Sequence, residues 1–176
     1  MTSASGASIE VLRKENRAVI AATKSGTEKN ATIFARYWVE ALRDPSADTD
    51  KNEVISALEA FRYADQKTAK FFEMQKRLAT EHALLEDTGK GEGVRSPSPE
   101  NGEGLLASRI AVVRLGGVQR AAQTPEKRKL LEKREELEQQ IDRLKYEKSA
   151  MPLEEYRKQL SALLLELAKT QAELDK

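Results

Sequence analysis

Four side chains of the stretch "DTDKNEVISALE" (residues 48–59) carry oxygens at the spacing of a calcium loop. Asp48, Asp50 and Asn52 occupy positions 1, 3 and 5, and Glu59 closes the stretch at position 12. Calcium takes six to eight oxygens, and such a loop supplies them from short polar side chains on an extended backbone before a bidentate Glu. In that scheme Val54 gives its carbonyl at position 7, and Ser56 stands at position 9, acting directly or through water. Ile55, apolar at position 8, belongs to a small strand beside the ion. Glu53 breaks the pattern, because position 6 of an EF-hand is glycine. A positive φ at Glu53 costs about 1 kcal/mol or somewhat more. The same residues also admit a metal-free reading, since Ser56 and Glu59 spell the capping box S-x-x-E of a helix start. Calcium is the one cofactor suggested, and both readings stand on the sequence.

Other candidates are weaker. In "DTGKGEG" (87–93) Asp87 lacks acidic partners two and four residues on, and Glu92 falls out of register. "GKGEG" is not a phosphate loop, because it lacks G-x-x-x-x-G-K-[ST] and follows a helical pattern. His82, the only histidine, falls in "TEHALL" on an expected long helix, where a lone histidine reads as a surface or packing residue. A Ser/His pair would need Ser3 or Ser5 beside His82. The chain has no cysteine, which removes disulfides, thiolate metal sites and cysteine nucleophiles together.

The elements that would position these residues are mostly helical. The 176 residues include 34% charged and only 5% aromatic ones, a composition of long exposed helices. Thirty basic against 29 acidic residues leave no net field for nucleic acid or an anionic membrane. No run approaches the ~20 apolar residues of a membrane span, and the first residues lack the basic flank and apolar core of a signal peptide. As written, the chain defaults to the cytoplasm.

"RAVIAAT" (17–23) suits a buried strand, which needs partners, and "IAVVRL" (110–115) is the only other strand-like run. "TIFARYWVEALR" (32–43) is an amphipathic helix that stops before Pro45. The acidic loop follows, then a long helix over Ala57–Leu85. Residues 86–104, rich in glycine and proline, read as an exposed linker. Thr124 and Pro125 then form a helix start. Leu130, Leu137, Leu144 and Met151 recur every seven residues, with Arg134, Ile141 and Lys148 between. Beyond Pro152, Leu153/Tyr156, Leu160/Leu163 and Leu167/Thr170 repeat the pattern to Leu174. The spacing predicts an antiparallel helical hairpin with a break at "SAMP". Arg134 and Lys148 are flaws in its seam, and Leu164 extends the stripe toward a third surface, either the rest of the chain or a second copy. Two regions result, 1–118 and a hairpin over 119–176.

The order "SASG", "RAVIAATKSGTEKN", "FARYWVEAL", "DTDKNEVISALEAF" and "KRLATEHALLED" resembles the downstream portion of bacterial legumain-like cysteine peptidases, relatives of the caspase fold. The resemblance covers roughly residues 1–115 and implies a remnant of an α/β sheet near the amino end of a mainly helical chain. It places Ser3 where the nucleophilic cysteine stands in a Cys-x-Ser-Gly-like turn, and it assigns the catalytic histidine to a strand upstream of this sequence. His82 does not match that position. Serine is a poor replacement, because its hydroxyl needs a positioned base.

The lone strand then makes sense if a late start, a separate subunit or a drift toward a helical protein explains the missing partners. An upstream start would also leave room for a signal peptide and export. Three functions follow as expectations. The first is a non-catalytic C-terminal part of a peptidase-type protein, with a calcium loop and a hairpin for docking or self-association. The second is a helical adaptor or scaffold without metal. The third is an active peptidase using Ser3 or completed by a partner chain.

Overall fold

The computed structural model describes residues 2–116 and 124–175. The boundary between 118 and 119 lies outside them. The fold is mainly helical, as the composition predicts, with two small antiparallel sheets.

Helix α2 (Phe34–Ala41; α1 is the single turn Ile9–Leu12) lays its apolar face on α3 (Ala57–Met74). Phe34 is the centre of that contact, 5.8 Å from the Phe61 ring and fully buried with it. Asp44, extended before Pro45, ends the first of these helices as expected and caps the next turn through Ser46 N–H. Strand β1 (Val19–Ala21) is held from the amino side by the "SASG" turn. Ala22 N–H donates to Ser5 Oγ and Gly6 N–H to Thr23 Oγ1. Gly6 tolerates no side chain, because a Cβ would lie 2.4 Å from Thr23 O and Ser25 N.

The long helix stops eleven residues early. α3 ends at Met74, where the last core residue is Phe72; Leu78 beyond it is 90% exposed. Leu84–Glu86 instead form β3, antiparallel to β1, with Leu85 fully buried. The unpaired backbone of β1 wins this segment over helical spacing, since buried N–H and C=O groups must be satisfied. "IAVVRL" does not pair with β1 either. Ala111–Arg114 form β4 against β2 (Val54–Ser56), with Ile55 opposite Val113.

Residues 86–104 are not an exposed linker. Val94 bridges Leu85, Pro97 is buried, and Asp87 accepts from the N–H groups of Gly104, Leu106 and Ala107. Helices α4 (Pro125–Glu147) and α5 (Leu153–Leu174) form the hairpin around a break at 148–152. They run antiparallel: Lys127 Nζ reaches Leu174 O, and Lys133 pairs with Glu166. Thr124 is the N-cap residue with Pro125 behind it, although its side chain makes no capping bond. The seam differs from the heptad reading in three places, the first being Leu153, which is exposed at the start of α5. Leu131 rather than Leu130 is fully buried, and Lys148 lies exposed in the turn. Leu131 and Leu174 pack on Val54, so the rest of the chain covers that end of the hairpin, while Leu164 remains 48% exposed.

Candidate metal centre

The loop between α2 and α3 is built from side chains that bend its own backbone. Asp48 Oδ1 accepts from Asn52 N–H (3.1 Å) and Asp48 Oδ2 from Glu53 N–H (2.9 Å). Asp50 Oδ1 accepts from Asn52 N–H, and Asn52 Oδ1 accepts from Val54 N–H at 2.7 Å. These short side chains curl the chain inward, as Asx turns do. Lys51 (φ 60°) and Glu53 (φ 63°) take left-handed conformations, so the strain expected at Glu53 is present.

Glu59 arrives from the first turn of α3. Its Oε2 accepts from Ser56 N–H and Oγ–H, and Ser56 Oγ accepts from Glu59 N–H, which completes the capping box. Its Oε1 accepts from Thr49 N–H (2.8 Å) and Thr49 Oγ1–H (2.9 Å). Cap and cluster are therefore the same carboxylate. One oxygen from each of Asp48, Asp50 and Glu59 lies within 4.8 Å of the others, an acidic cluster that can hold a metal ion.

Of the other candidate ligands, Asn52 lies inside the loop with its amide donating to Asp50 Oδ2. Val54 belongs to β2 with its side chain buried. Ser56 is committed to the cap, with its hydroxyl donating to Glu59 Oε2.

The cluster repels itself. Although Asp50 is exposed as a residue, its carboxyl is partly desolvated within the loop; that desolvation, then the charges of Glu59 and Asp48, push it up to about 6 against the bond from Asn52 N–H. The hairpin adds a further acid, Glu138, which lines the same cavities as Asp50. Burial pushes Glu138 up to about 7, with Asp50, Glu135 and Asp142 adding to the shift and Arg134 opposing it. One cavity, about 260 Å³, lies between loop, β4 and α4; a wider groove of about 810 Å³ runs from Asp50–Glu53 along α4 and α5.

Arg134, a flaw in the seam by sequence, is 4% exposed and donates from Nη2 to Asn52 O at 2.7 Å. Its signal was present in the sequence as a basic residue on an apolar stripe with Glu138 one turn on. Nothing local, however, names a loop carbonyl as its acceptor.

The structure does not join the serine and histidine that a Ser/His pair would need. Ser3 is exposed, and no hydrogen bond among the described residues joins it to His82. His82 sits in the segment after α3 rather than on a helix. Its Nδ1 meets Glu28 Oε1 at 2.5 Å, and its N–H donates to Glu28 Oε2. Burial opposes charge on Glu28, yet the bonds from Lys24 N–H and His82 hold its carboxyl below the usual range. Asp87 has both oxygens committed to backbone N–H groups. No family model, curated protein or solved structure matches this chain.

Proposed function

We propose that the chain is a non-catalytic calcium-binding module, the C-terminal part of a legumain-like peptidase-type protein, with a helical hairpin docked on its calcium loop. The calcium part is supported by one observation above the rest, the convergence of Asp48, Asp50 and Glu59 within 4.8 Å. A hard divalent cation with flexible coordination suits such oxygens. Asp48, Asp50, Asn52, the Val54 carbonyl and Glu59 would supply ligands, with water at the position of Ser56. β2 pairs with β4, which braces this single loop. The family part rests on the order of the five motifs in residues 1–115. A metal-free adaptor is the second reading, favoured by Leu164 and Leu165, 48% and 59% exposed on α5.

Thermal melts with millimolar calcium and with chelator test the proposal, on the wild type and on Asp50→Asn. Asp50 is chosen because it is exposed and takes no part in the helix cap. Calcium at a hundredfold excess over its dissociation constant stabilises by ~2.7 kcal/mol. That is a rise of roughly 5–10 °C for a chain of this size. Asp50→Asn should abolish the rise. Coincident wild-type melts would overturn the calcium reading and leave the stretch as a turn and a cap.

A further inference from the structure

Glu53 holds a left-handed φ of 63° without being glycine, and three bonds impose it. Its N–H donates to Asp48 Oδ2, its carbonyl accepts from Leu115 N–H at 2.8 Å, and the carbonyl before it, Asn52 O, accepts from Arg134 Nη2. The first comes from the loop and the second from the residue after β4. The third comes from α4, eighty-two residues away.

We propose that Arg134 is a positioning residue for the calcium loop: the docked hairpin locks the Asn52–Glu53 peptide in place of the missing glycine, so hairpin docking and calcium binding reinforce each other. This deepens the calcium reading and rests on it for the ligand.

A trans peptide points its C=O and N–H in opposite directions. Arg134 therefore pulls on one side of the peptide whose other side holds Asp48, and its cation lies on the face away from that carboxylate. A charged donor on the carbonyl polarises the peptide and strengthens the bond its N–H makes to Asp48. The guanidinium is confined. Nη1 donates to Gln171 of α5, and Nε is buried without a hydrogen bond, 3.6 Å from Glu138 Oε1. Both hairpin helices thus fix its position, and Leu131 and Leu174 close on Val54, the seventh loop residue. A non-glycine left-handed residue persists where its surroundings over-determine it. Linkage is reciprocal, so calcium in the loop must also hold the hairpin down.

The test is a calorimetric calcium titration of the full chain as wild type, Arg134→Met, Glu53→Gly and the double variant. Methionine keeps the buried stem and removes the donor. We expect Arg134→Met to weaken calcium binding about tenfold, the effect of losing a charge-assisted bond. Glu53→Gly should restore most of that loss while changing the wild type little. Glu53→Ala, which removes the charge but keeps the Cβ, should restore none. Equal affinity of Arg134→Met and wild type, or a loss that glycine does not recover, overturns the proposal.

Should Arg134→Met fail to fold, Arg134→Lys replaces it, with an intermediate loss that glycine again recovers. Melts of the same proteins in chelator separate the two readings. If the wild type binds no calcium, the calcium reading falls, and the strut is judged by the cycle alone. A larger recovery by Glu53→Gly in the Arg134→Met background than in wild type supports it, and additive shifts overturn it.

Discussion

The chain has two short acidic loops, and only one gathers its carboxylates. In residues 48–59 the acids stand two apart, and an Asx-turned backbone brings Asp48 and Asp50 to one side, where Glu59 joins them. In residues 86–93 the acids are adjacent at the end of β3, where successive side chains leave on opposite faces. Glu86 Oε1 turns back on Thr88 and Lys90, while Asp87 reaches across to the N–H groups of 104–107. Both loops contain left-handed residues. The second uses Gly89 and Gly91 for them; the first uses Lys51 and Glu53. Carboxylate spacing therefore separates a cluster from a brace, and glycine does not. The strained backbone lies where the charges converge.

The largest effect that should divide the loops is on Asp87. Asp87→Ala leaves three backbone N–H groups without their acceptor, two of them on the buried residues Gly104 and Ala107. The cost is about 3 kcal/mol or more. Melting should fall by roughly 6–12 °C, by the same amount in calcium and in chelator. Asp50→Asn should show the opposite profile, with the calcium increment gone and the chelator melt slightly raised, because the amide removes a repelled charge. A folded Asp87→Ala chain that lost its calcium increment would break the separation.

What the sequence showed was what is local. Helix α2, the Ser56/Glu59 cap and the two hairpin helices follow from spacing and cap chemistry within a few residues. The end of α3 did not, because Leu78 and Leu85 fit a helical stripe as well as Phe72 does. Only the empty edge of β1, more than sixty residues back, decides that Leu84–Glu86 become strand. Glycine and proline made residues 86–104 look loose, since composition does not reveal that Asp87 ties both ends together. At the candidate site the carboxylates were legible from spacing. Arg134 was visible only as a misplaced charge, because its acceptor is a backbone carbonyl that any residue carries.

Acid should separate the loops next. The raised carboxyls of Asp50, about 6, and Glu138, about 7, bind protons more tightly folded than unfolded. Stability from such groups is full below their unfolded range and is lost as pH rises through the folded values. In chelator, melting should therefore fall between about pH 4 and pH 7. Asp50 is exposed, so screening holds the fall to roughly 2–4 °C. Calcium replaces the proton on Asp50, a proposed ligand, so in its presence the Asp50 share of the fall should be absent and only the Glu138 share should remain. Asp44, held down at about 2 by the Tyr63 hydroxyl and Ser46 N–H, loses its contribution only at far lower pH and stays outside this window. A chelator melt that rose from pH 4 to pH 7 would mean the acidic cluster is not compressed.

The smallest effect compares the backbones themselves. Gly89 has φ +77°, and a Cβ there would lie 3.3 Å from Glu15 N. Gly89→Ala should cost about 1 kcal/mol, or a melting drop of roughly 2–4 °C with or without calcium. Glu53→Gly is the reverse substitution and should gain less than that loss. Glycine relieves the left-handed strain but also widens the unfolded ensemble, and the two nearly offset. Glu53 is moreover held by Asp48, Leu115 and, through Asn52, Arg134, so relief adds little while all three bonds stand. If Gly89→Ala melted with the wild type, the chain near Glu15 would be yielding to the new methyl group. The second loop would then impose its turn no more firmly than its neighbours do, leaving Glu53 as the one left-handed residue in the comparison that its surroundings enforce.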